Sequence, residues 1–384
     1  VLEFPYHIVT NVLQGASQAQ QGEVVAGLRL PAEVAIPIET LQQAGFSILR
    51  MTTHSIQELR KYCQDIVQHG FIKRERRRIP HLRFGTSLVY TRREIEEFRV
   101  VRNAFRNYIK DTATEHPISF CVFGPPGAGK SFVVKQIERE VRKEVATEFI
   151  ECNLSQMEGE HDLLEVYHRV RDTGLQGRLP IVFFDEFDTQ RGGQPYYWLK
   201  QFLAPMQDGK FYENGTTHYL GRAIFVFAGG INRSWELFRG QVEKNRDAKG
   251  PDFLSRIRGY IDVLGLNPEG PQVATFPFDA SGVLDKAFLE VCIRRALLLR
   301  AVLESKTGLG KNDDQYLPVE DEVVDAFVFV REYKHGSRSL QTLIEMSDIT
   351  RQDKSIDALC IMSSWQDLHV SGDFGRLLQN GWVI

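Results

Sequence analysis

The spacing of apolar residues changes along the chain, and the changes predict its secondary structure. Two short, mostly apolar runs at 118–123 and 181–184 are typical of strands buried on both faces. Directly after the first run, residues 131–145 place apolar side chains at helical spacing. A second amphipathic pattern covers 55–72 and closes on Gly70. We therefore expect a strand, a sharp turn and a helix in succession from 118, and another helix upstream.

Turn-forming residues indicate a hairpin farther along the chain. Asn214 and Gly215 stand between the segments KFYE and TTHYL, and both tolerate the positive φ that a two-residue hairpin turn requires. Upstream, residues 82–110 predict a short strand or wing, followed from about Thr91 by a long helix.

The turn after the first strand carries a phosphate-binding pattern. It matches G-x-x-x-x-G-K-[ST] with Gly124, Pro125, Pro126, Gly127, Ala128, Gly129, Lys130 and Ser131. Glycines let backbone N–H groups curl around phosphate oxygens, and the next helix presents its positive end. Lys130 is expected to bind the β- and γ-phosphates and Ser131 to offer its hydroxyl to Mg²⁺. The alternative, a surface loop that matches by chance, is disfavoured by the strand before it and the helix after it.

Two carboxylates follow the second apolar run. Asp185 and Glu186 come directly after 181–184, and the carboxyl ends of parallel strands are where ligands bind in such sheets. We expect Asp185 to hold Mg²⁺ through water and Glu186 to polarise the attacking water as general base. Asp188 has a simpler interpretation as the cap of the next helix.

Composition is that of a folded chain with more than one domain. Of 384 residues, 42% are hydrophobic and 25% charged, which predicts about two or three domains. Five cysteines without a CxxC pair argue against a disulfide framework or a zinc site and favour a reducing, cytoplasmic setting. No apolar stretch approaches the roughly 20 residues of a membrane helix, so we expect no membrane insertion. The chain begins at Val1 without methionine, and we expect an N-terminal part to be missing.

One segment has a strong local charge. Residues 73–110 contain twelve lysines and arginines against four glutamates, with aromatic residues between them. A nucleic-acid surface combines charge and aromatic rings in this way. The alternative, which we favour, is a charged helical face that pairs with acidic neighbours at a subunit contact or lies near the nucleotide phosphates.

The segments GPPGAGKS and IVFFDEFD resemble those of the AAA+ family of P-loop ATPases, over roughly residues 100–350. The resemblance implies a three-layer α/β/α fold with a parallel sheet and a C-terminal helical lid, preceded by a separate α+β region of unknown identity. It also implies Mg²⁺-dependent ATP hydrolysis by a ring-type homo-oligomer whose subunits share ATP sites. The expected domains are an N-terminal region at 1–95, the nucleotide-binding domain at 96–272, the lid at 273–350 and a C-terminal extension at 351–384.

The same resemblance suggests roles for residues outside the two motifs. Asn232 is the best candidate for contacting the γ-phosphate and the nucleophilic water, although two glycines and an isoleucine precede it where the family usually has Thr-Asn or Ser-Asn. Asn153 lies where many members restrain the catalytic Glu. Arg256 matches the arginine finger given to a neighbouring subunit, with Arg258 as runner-up and a surface ion pair as the alternative. Arg338 matches the second sensor on the lid.

The partner of this ATPase is less constrained by the sequence. Residues 202–234 resemble members with a β-hairpin before the sensor strand, as in the branch of the Clp and Lon ATPases. The loop at 155–164 offers Met157 but not the aromatic residue of protein-threading members, which argues against an unfoldase. We favour an oligomeric ATPase that remodels or gates a protein or nucleic-acid partner. The alternatives are an NTP-dependent signalling switch of the STAND type, which Glu186 and Arg256 argue against, and an ATP-binding scaffold without activity.

Overall fold

The computed structural model describes residues 55–70, 82–84, 87–268, 285–308, 316–349 and 355–381. The strands in these ranges are β1 (Leu82–Phe84), β2 (Ser87–Val89), β3 (Ile118–Phe123), β4 (Thr147–Asn153), β5 (Leu179–Asp185), β6 (Lys210–Glu213), β7 (Thr216–Tyr219), β8 (Ile224–Ala228) and β9 (Ile257–Asp262). The α-helices are α1 (Ile56–His69), α2 (Arg92–Lys110), α3 (Lys130–Val141), α4 (Glu160–Leu175), α5 (Leu199–Asp208), α6 (Trp235–Val242), α7 (Gly250–Leu254), α8 (Lys286–Thr307), α9 (Asp321–Phe329), α10 (Ser337–Glu345), α11 (Gln366–His369) and α12 (Phe374–Asn380). The helix predicted at 55–72, the wing before Thr91 with the helix after it, and the strand-to-helix succession from 118 are confirmed.

Five parallel strands form the central sheet in the order β4–β5–β8–β3–β9. Parallel neighbours need crossover connections, and most of these contain helices. The apolar residues of β5 and β8 are buried, as expected for strands covered on both faces. The predicted three-layer α/β/α fold with a helical C-terminal part is confirmed.

The strand order determines where a ligand can bind. The chain runs from β3 to the far edge strand β4, returns through β5 and β8, and then places β9 on the other side of β3. In open parallel sheets, ligands bind beyond the carboxyl ends of the strands where the order reverses. The carboxyl ends of β3, β5 and β8 form that edge here.

An aromatic core anchors the end of β5. The Phe184 ring lies 4.8 Å from that of Phe202 on α5 and 5.3 Å from that of Phe227 on β8. The Phe187 ring lies 5.1 Å from that of Phe238 on α6. Because Phe184 and Phe187 are fully buried, they fix the backbone on both sides of the two acidic residues between them.

The predicted hairpin is confirmed. Strands β6 and β7 pair antiparallel, and their turn residues Asn214 and Gly215 have φ angles of 48° and 80°. Phe211 packs against Tyr167 of α4, with ring centroids 5.5 Å apart. A tight two-residue turn therefore joins two short strands, one of which packs on α4.

The chain divides into two compact units. One comprises Arg83–Leu264, and the other comprises the described residues on either side. In the second unit α1 packs against α8 and α9: the buried Asp325 accepts hydrogen bonds from Arg60 Nε at 2.7 Å and Gln64 Nε2 at 3.1 Å. Helix α1 therefore packs with α8 and α9 within one compact unit. Within the described ranges, no helix has the length and apolarity needed to cross a bilayer.

Candidate functional site

The loop between β3 and α3 is curled by glycine conformations that other residues rarely adopt. Gly124, Gly127 and Gly129 have φ angles of 151°, 75° and 89°. A Cβ atom added at Gly124 would lie 2.5 Å from the carbonyl oxygen of Val263, so a side chain there would collide with backbone. The loop thus has the tight backbone course that the sequence motif requires.

Lys130 and Ser131 begin α3 at the end of this loop. Lys130 Nζ donates to the carbonyl oxygen of Gly124 at 3.0 Å, which places the ammonium group across the loop. The first turn of α3 contains no acidic residue, so its positive end is not neutralised from within the helix. This combination of a cation and a helix N-terminus favours an anion.

Asp185 and Glu186 lie at the carboxyl end of β5. The pKa of Asp185 is raised, chiefly by burial, although the Glu186 N–H and the charge of Lys130 act in the opposite direction. Glu186 has a φ angle of 55°, an unfavourable conformation for a side chain of this size, and its N–H donates to Asp185 Oδ1 at 3.1 Å. The two carboxylates are therefore presented from a sharp turn at the sheet edge.

Sheet register brings the glycine loop and the acidic pair to the same edge. Val122 pairs with Ala228, and Ala228 pairs with Asp185. Since neighbouring strands lie ~4.8 Å apart, roughly 10 Å separates the backbones of β3 and β5 at this level. The two motifs are therefore close enough for one ligand beyond the strand ends to contact both.

Asp188 is a buried acceptor, and its interpretation as a helix cap is wrong. No helix begins after it until α5 at Leu199. Its carboxylate accepts instead from the N–H groups of Gly230 at 2.7 Å, Ile231 at 3.2 Å and Asn232 at 2.7 Å. Sequence reasoning missed this role because the donors lie more than 40 residues downstream.

Asn232 is buried in the same network. It lies four residues beyond the last residue of β8, and its Nδ2 donates to Asp188 Oδ2 at 2.9 Å and to the Tyr196 hydroxyl at 3.3 Å. The residues that directly follow β8 are Gly229 and Gly230. Contact between Asn232 and a phosphate therefore stays a prediction, and it requires these bonds to be exchanged.

Arg256 lies at the amino ends of the parallel strands, whereas the glycine loop lies at their carboxyl ends. It directly precedes β9, whose first residue, Ile257, pairs with Ser119 at the amino end of β3. At ~3.3 Å per residue, the backbone of Arg256 lies roughly 16 Å from the loop of its own chain. Arg256 and Arg258 line a cleft of about 540 Å³, and the guanidinium of Arg256 donates to the carbonyl oxygen of Asp252 rather than to a carboxylate.

The resemblance suggests two further residues, of which one lies beside the acidic pair and the other belongs to the second compact unit. Arg338 is the second residue of α10, is exposed, and belongs to the other compact unit. Asn153 ends β4 beside Asp185, and its Oδ1 accepts from Ser155 N at 2.9 Å and Ser155 Oγ at 2.7 Å. The roles predicted for both stay predictions.

The basic segment is partly described. Residues 73–81, 85 and 86 lie outside the described residues, and Arg76, Arg77 and Arg78 are among them. On α2, three arginines form ion pairs: Arg92 with Glu96, Arg93 with Glu97, and Arg106 with Glu144. This part of the segment is thus engaged with acidic groups of its own chain, as a charged helical face would be.

A parallel sheet with a glycine-curled loop and an acidic strand end at one edge defines a P-loop nucleotide-binding domain of the α/β class. Residues 120–216, about a quarter of the chain, match the model of the family described as "ATPase family associated with various cellular activities (AAA)". The chain therefore contains an AAA-type P-loop ATPase domain, and the recognition made from the two motifs is confirmed.

Comparison with other proteins adds little to this assignment. No curated protein matches the sequence. Among solved structures, the ORC2 protein of Aeropyrum pernix with ADPNP and ADP matches with a TM-score of 0.36 and 13% identity, over 62% of this chain and 68% of that one. NtrX of Brucella abortus in complex with ADP matches with a TM-score of 0.37 and 14% identity, over 71% of this chain and 55% of that one. Similarities at this level carry no argument about function.

Proposed function

We propose that this chain binds ATP with Mg²⁺ between the loop at 124–131 and the pair Asp185–Glu186, and that it hydrolyses the nucleotide. The observation that carries the proposal is the position of the curled loop and the acidic pair at one sheet edge, with a single strand between them. The residues fit both ligands: the loop is too tight for a side chain at Gly124, and hydroxyl and carboxylate oxygens suit Mg²⁺.

Each residue then has a distinct task. Backbone N–H groups of the loop bind phosphate oxygens, and Lys130 exchanges its bond with Gly124 for one with the β- and γ-phosphates. Ser131 and Asp185 hold Mg²⁺, which when bound neutralises charge on the phosphate oxygens. Glu186 orients a water molecule and accepts its proton.

We further propose that the active form is a ring-type homo-oligomer. An arginine at the far edge of the sheet cannot reach the loop of its own chain, whereas it can contact a nucleotide on a neighbour packed head to tail. Arg256 would stabilise the charge that develops on the transferred phosphoryl group, which is worth ~10³–10⁵ in rate for such arginines. Arg338 and Asn232 are proposed as further contacts to the γ-phosphate.

The proposal also includes a use for the energy of ATP hydrolysis. We propose that the oligomer uses ATP hydrolysis to remodel or gate a protein or nucleic-acid partner in the cytoplasm. The domain boundaries at 95, 272 and 350 also stay proposals. Particle images recorded with and without a slowly hydrolysed ATP analogue test whether nucleotide drives assembly.

The test of hydrolysis is Glu186→Gln, measured as phosphate release at saturating MgATP. We expect release to fall by at least ~10²-fold, because a general base contributes on this scale, while bound ATP is retained. Glu138→Gln is the matched control: it changes a buried carboxylate on α3 that accepts from Arg142 Nε at 2.7 Å, away from the acidic pair. Unchanged release in Glu186→Gln would remove Glu186 as the base.

A further inference from the structure

The segment that follows β8 is held by a single buried carboxylate. Asp188 is 1% exposed and accepts hydrogen bonds from the N–H groups of Gly230, Ile231 and Asn232. It also accepts from Asn232 Nδ2 at 2.9 Å. Three consecutive N–H groups directed at one anion form a backbone nest, and charge-assisted bonds of this kind are stronger than neutral ones. The position of this segment therefore depends on Asp188.

The same segment forms the wall against which Glu186 lies. A Cβ atom added at Gly230 would lie 2.8 Å from Cγ of Glu186 and 3.3 Å from its Cβ. Only glycine leaves room for the glutamate in its present position. A movement of Gly230 toward Glu186 would displace the carboxylate that the proposed reaction uses.

Glu186 depends on such support because its backbone is strained. Its φ angle of 55° is unfavourable for a residue with a long side chain, and surrounding structure must maintain it. Gly229 is constrained as well: its N–H donates to Val122 O at 2.9 Å, and a Cβ there would lie 2.5 Å from Cδ1 of Phe123. The two glycines that replace the usual sensor residues thus lie closely against Phe123 and Glu186.

We propose that Asp188 is a positioning residue for the hydrolytic reaction: through its bonds to the nest it places Gly230, and Gly230 fixes the orientation of Glu186. The inference rests on the proposed role of Glu186 as general base. In this arrangement the Asn232 amide donates to Asp188 and also to the Tyr196 hydroxyl. The carboxylate itself does not touch substrate.

Two substitutions in the full chain test the proposal by different routes. Asp188→Asn preserves shape but turns one acceptor oxygen into a donor that faces N–H groups. Gly230→Ala leaves the carboxylate intact and adds a methyl group at the position of the 2.8 Å contact. Both should lower kcat for phosphate release by at least about tenfold, because small misplacements of catalytic groups cost up to ~10²-fold, with the Kd for ATP changed by less than about twofold. Glu138→Gln again serves as the control, and circular dichroism verifies folding.

A double variant separates positioning from a general structural effect. If Asp188 acts through Glu186, Asp188→Asn should lower the residual rate of Glu186→Gln by less than about twofold, since the group it positions is already absent. Equal losses in both backgrounds, or unchanged kcat in Asp188→Asn and Gly230→Ala, would overturn the proposal. If Asp188→Asn does not fold, the same comparison of kcat is made with Gly230→Ala, alone and combined with Glu186→Gln. A Glu186→Gln variant with full activity would refute the proposed function itself, so the two failures are distinguishable.

Discussion

The position of Arg256 predicts how two inactive variants should behave when they are mixed. Lys130→Ala removes the proposed phosphate contact, and Arg256→Ala removes the proposed finger, so each homo-oligomer should be nearly inactive. Because the two residues lie at opposite edges of one sheet, a complete site in a mixed ring takes Lys130 from one subunit and Arg256 from the next. Random mixing at equal amounts makes about one quarter of the sites complete, whatever the ring size, in a head-to-tail assembly.

The assay is steady-state phosphate release at constant total protein while the ratio of the variants changes. Activity should follow the product of the two fractions and peak at about one quarter of the wild-type rate if sites act independently. Arg258→Ala is the matched control, because it removes a neighbouring arginine of the same cleft and should keep activity alone. A flat or linear response at every ratio would refute a shared site. Full activity of Arg256→Ala alone would exclude Arg256 as the arginine finger. If Arg258→Ala instead complemented Lys130→Ala, Arg258 would be the finger.

Three further outcomes are expected. Gly124→Ala should abolish ATP binding, measured by titration calorimetry, and lower stability by about 1–3 kcal/mol, because the new methyl group meets Val263 O; intact binding would contradict the close approach. Asp325→Ala should lower the free energy of unfolding in urea by about 2 kcal/mol, since it removes hydrogen bonds to a buried charge from Gln64 and the partly exposed Arg60; a change below ~0.5 kcal/mol would show that the bonds contribute little. Burial raises the pKa of Tyr108 from 10.0 to about 12, so its contribution to stability is present below pH 10 and is lost as pH rises to about 12. Tyr108→Phe should therefore lose less stability than the wild type between pH 10 and about 12. An identical loss in the two proteins would contradict the raised pKa.

Features written in adjacent residues were predictable from the sequence. The backbone conformation of the glycine loop could be predicted because only glycine permits the φ angle and the close approach to other backbone seen at Gly124. Asn214 and Gly215 likewise specify their turn directly. The acidic pair follows from an apolar run that had to be a buried strand.

Features that depend on contacts between distant residues were not predictable in this way. Asp188 resembled a helix cap because its local sequence permits one, while its actual donors follow another strand. The packing of α1 against α9 depends on bonds between Arg60, Gln64 and Asp325, which are more than 250 residues apart. Periodicity predicted the buried face of α1, but not the helices that bury it.

The pairing of α1 with α8 and α9 has a consequence for synthesis on the ribosome. In the sequence, the compact unit Arg83–Leu264 is inserted between the two parts of the other compact unit. At ~5–20 residues per second, α1 emerges roughly 10–50 s before the helices that cover Leu59, Cys63 and Val67. During that interval the inserted domain can fold first, while the apolar stripe of the nascent α1 lacks the helices that later cover it.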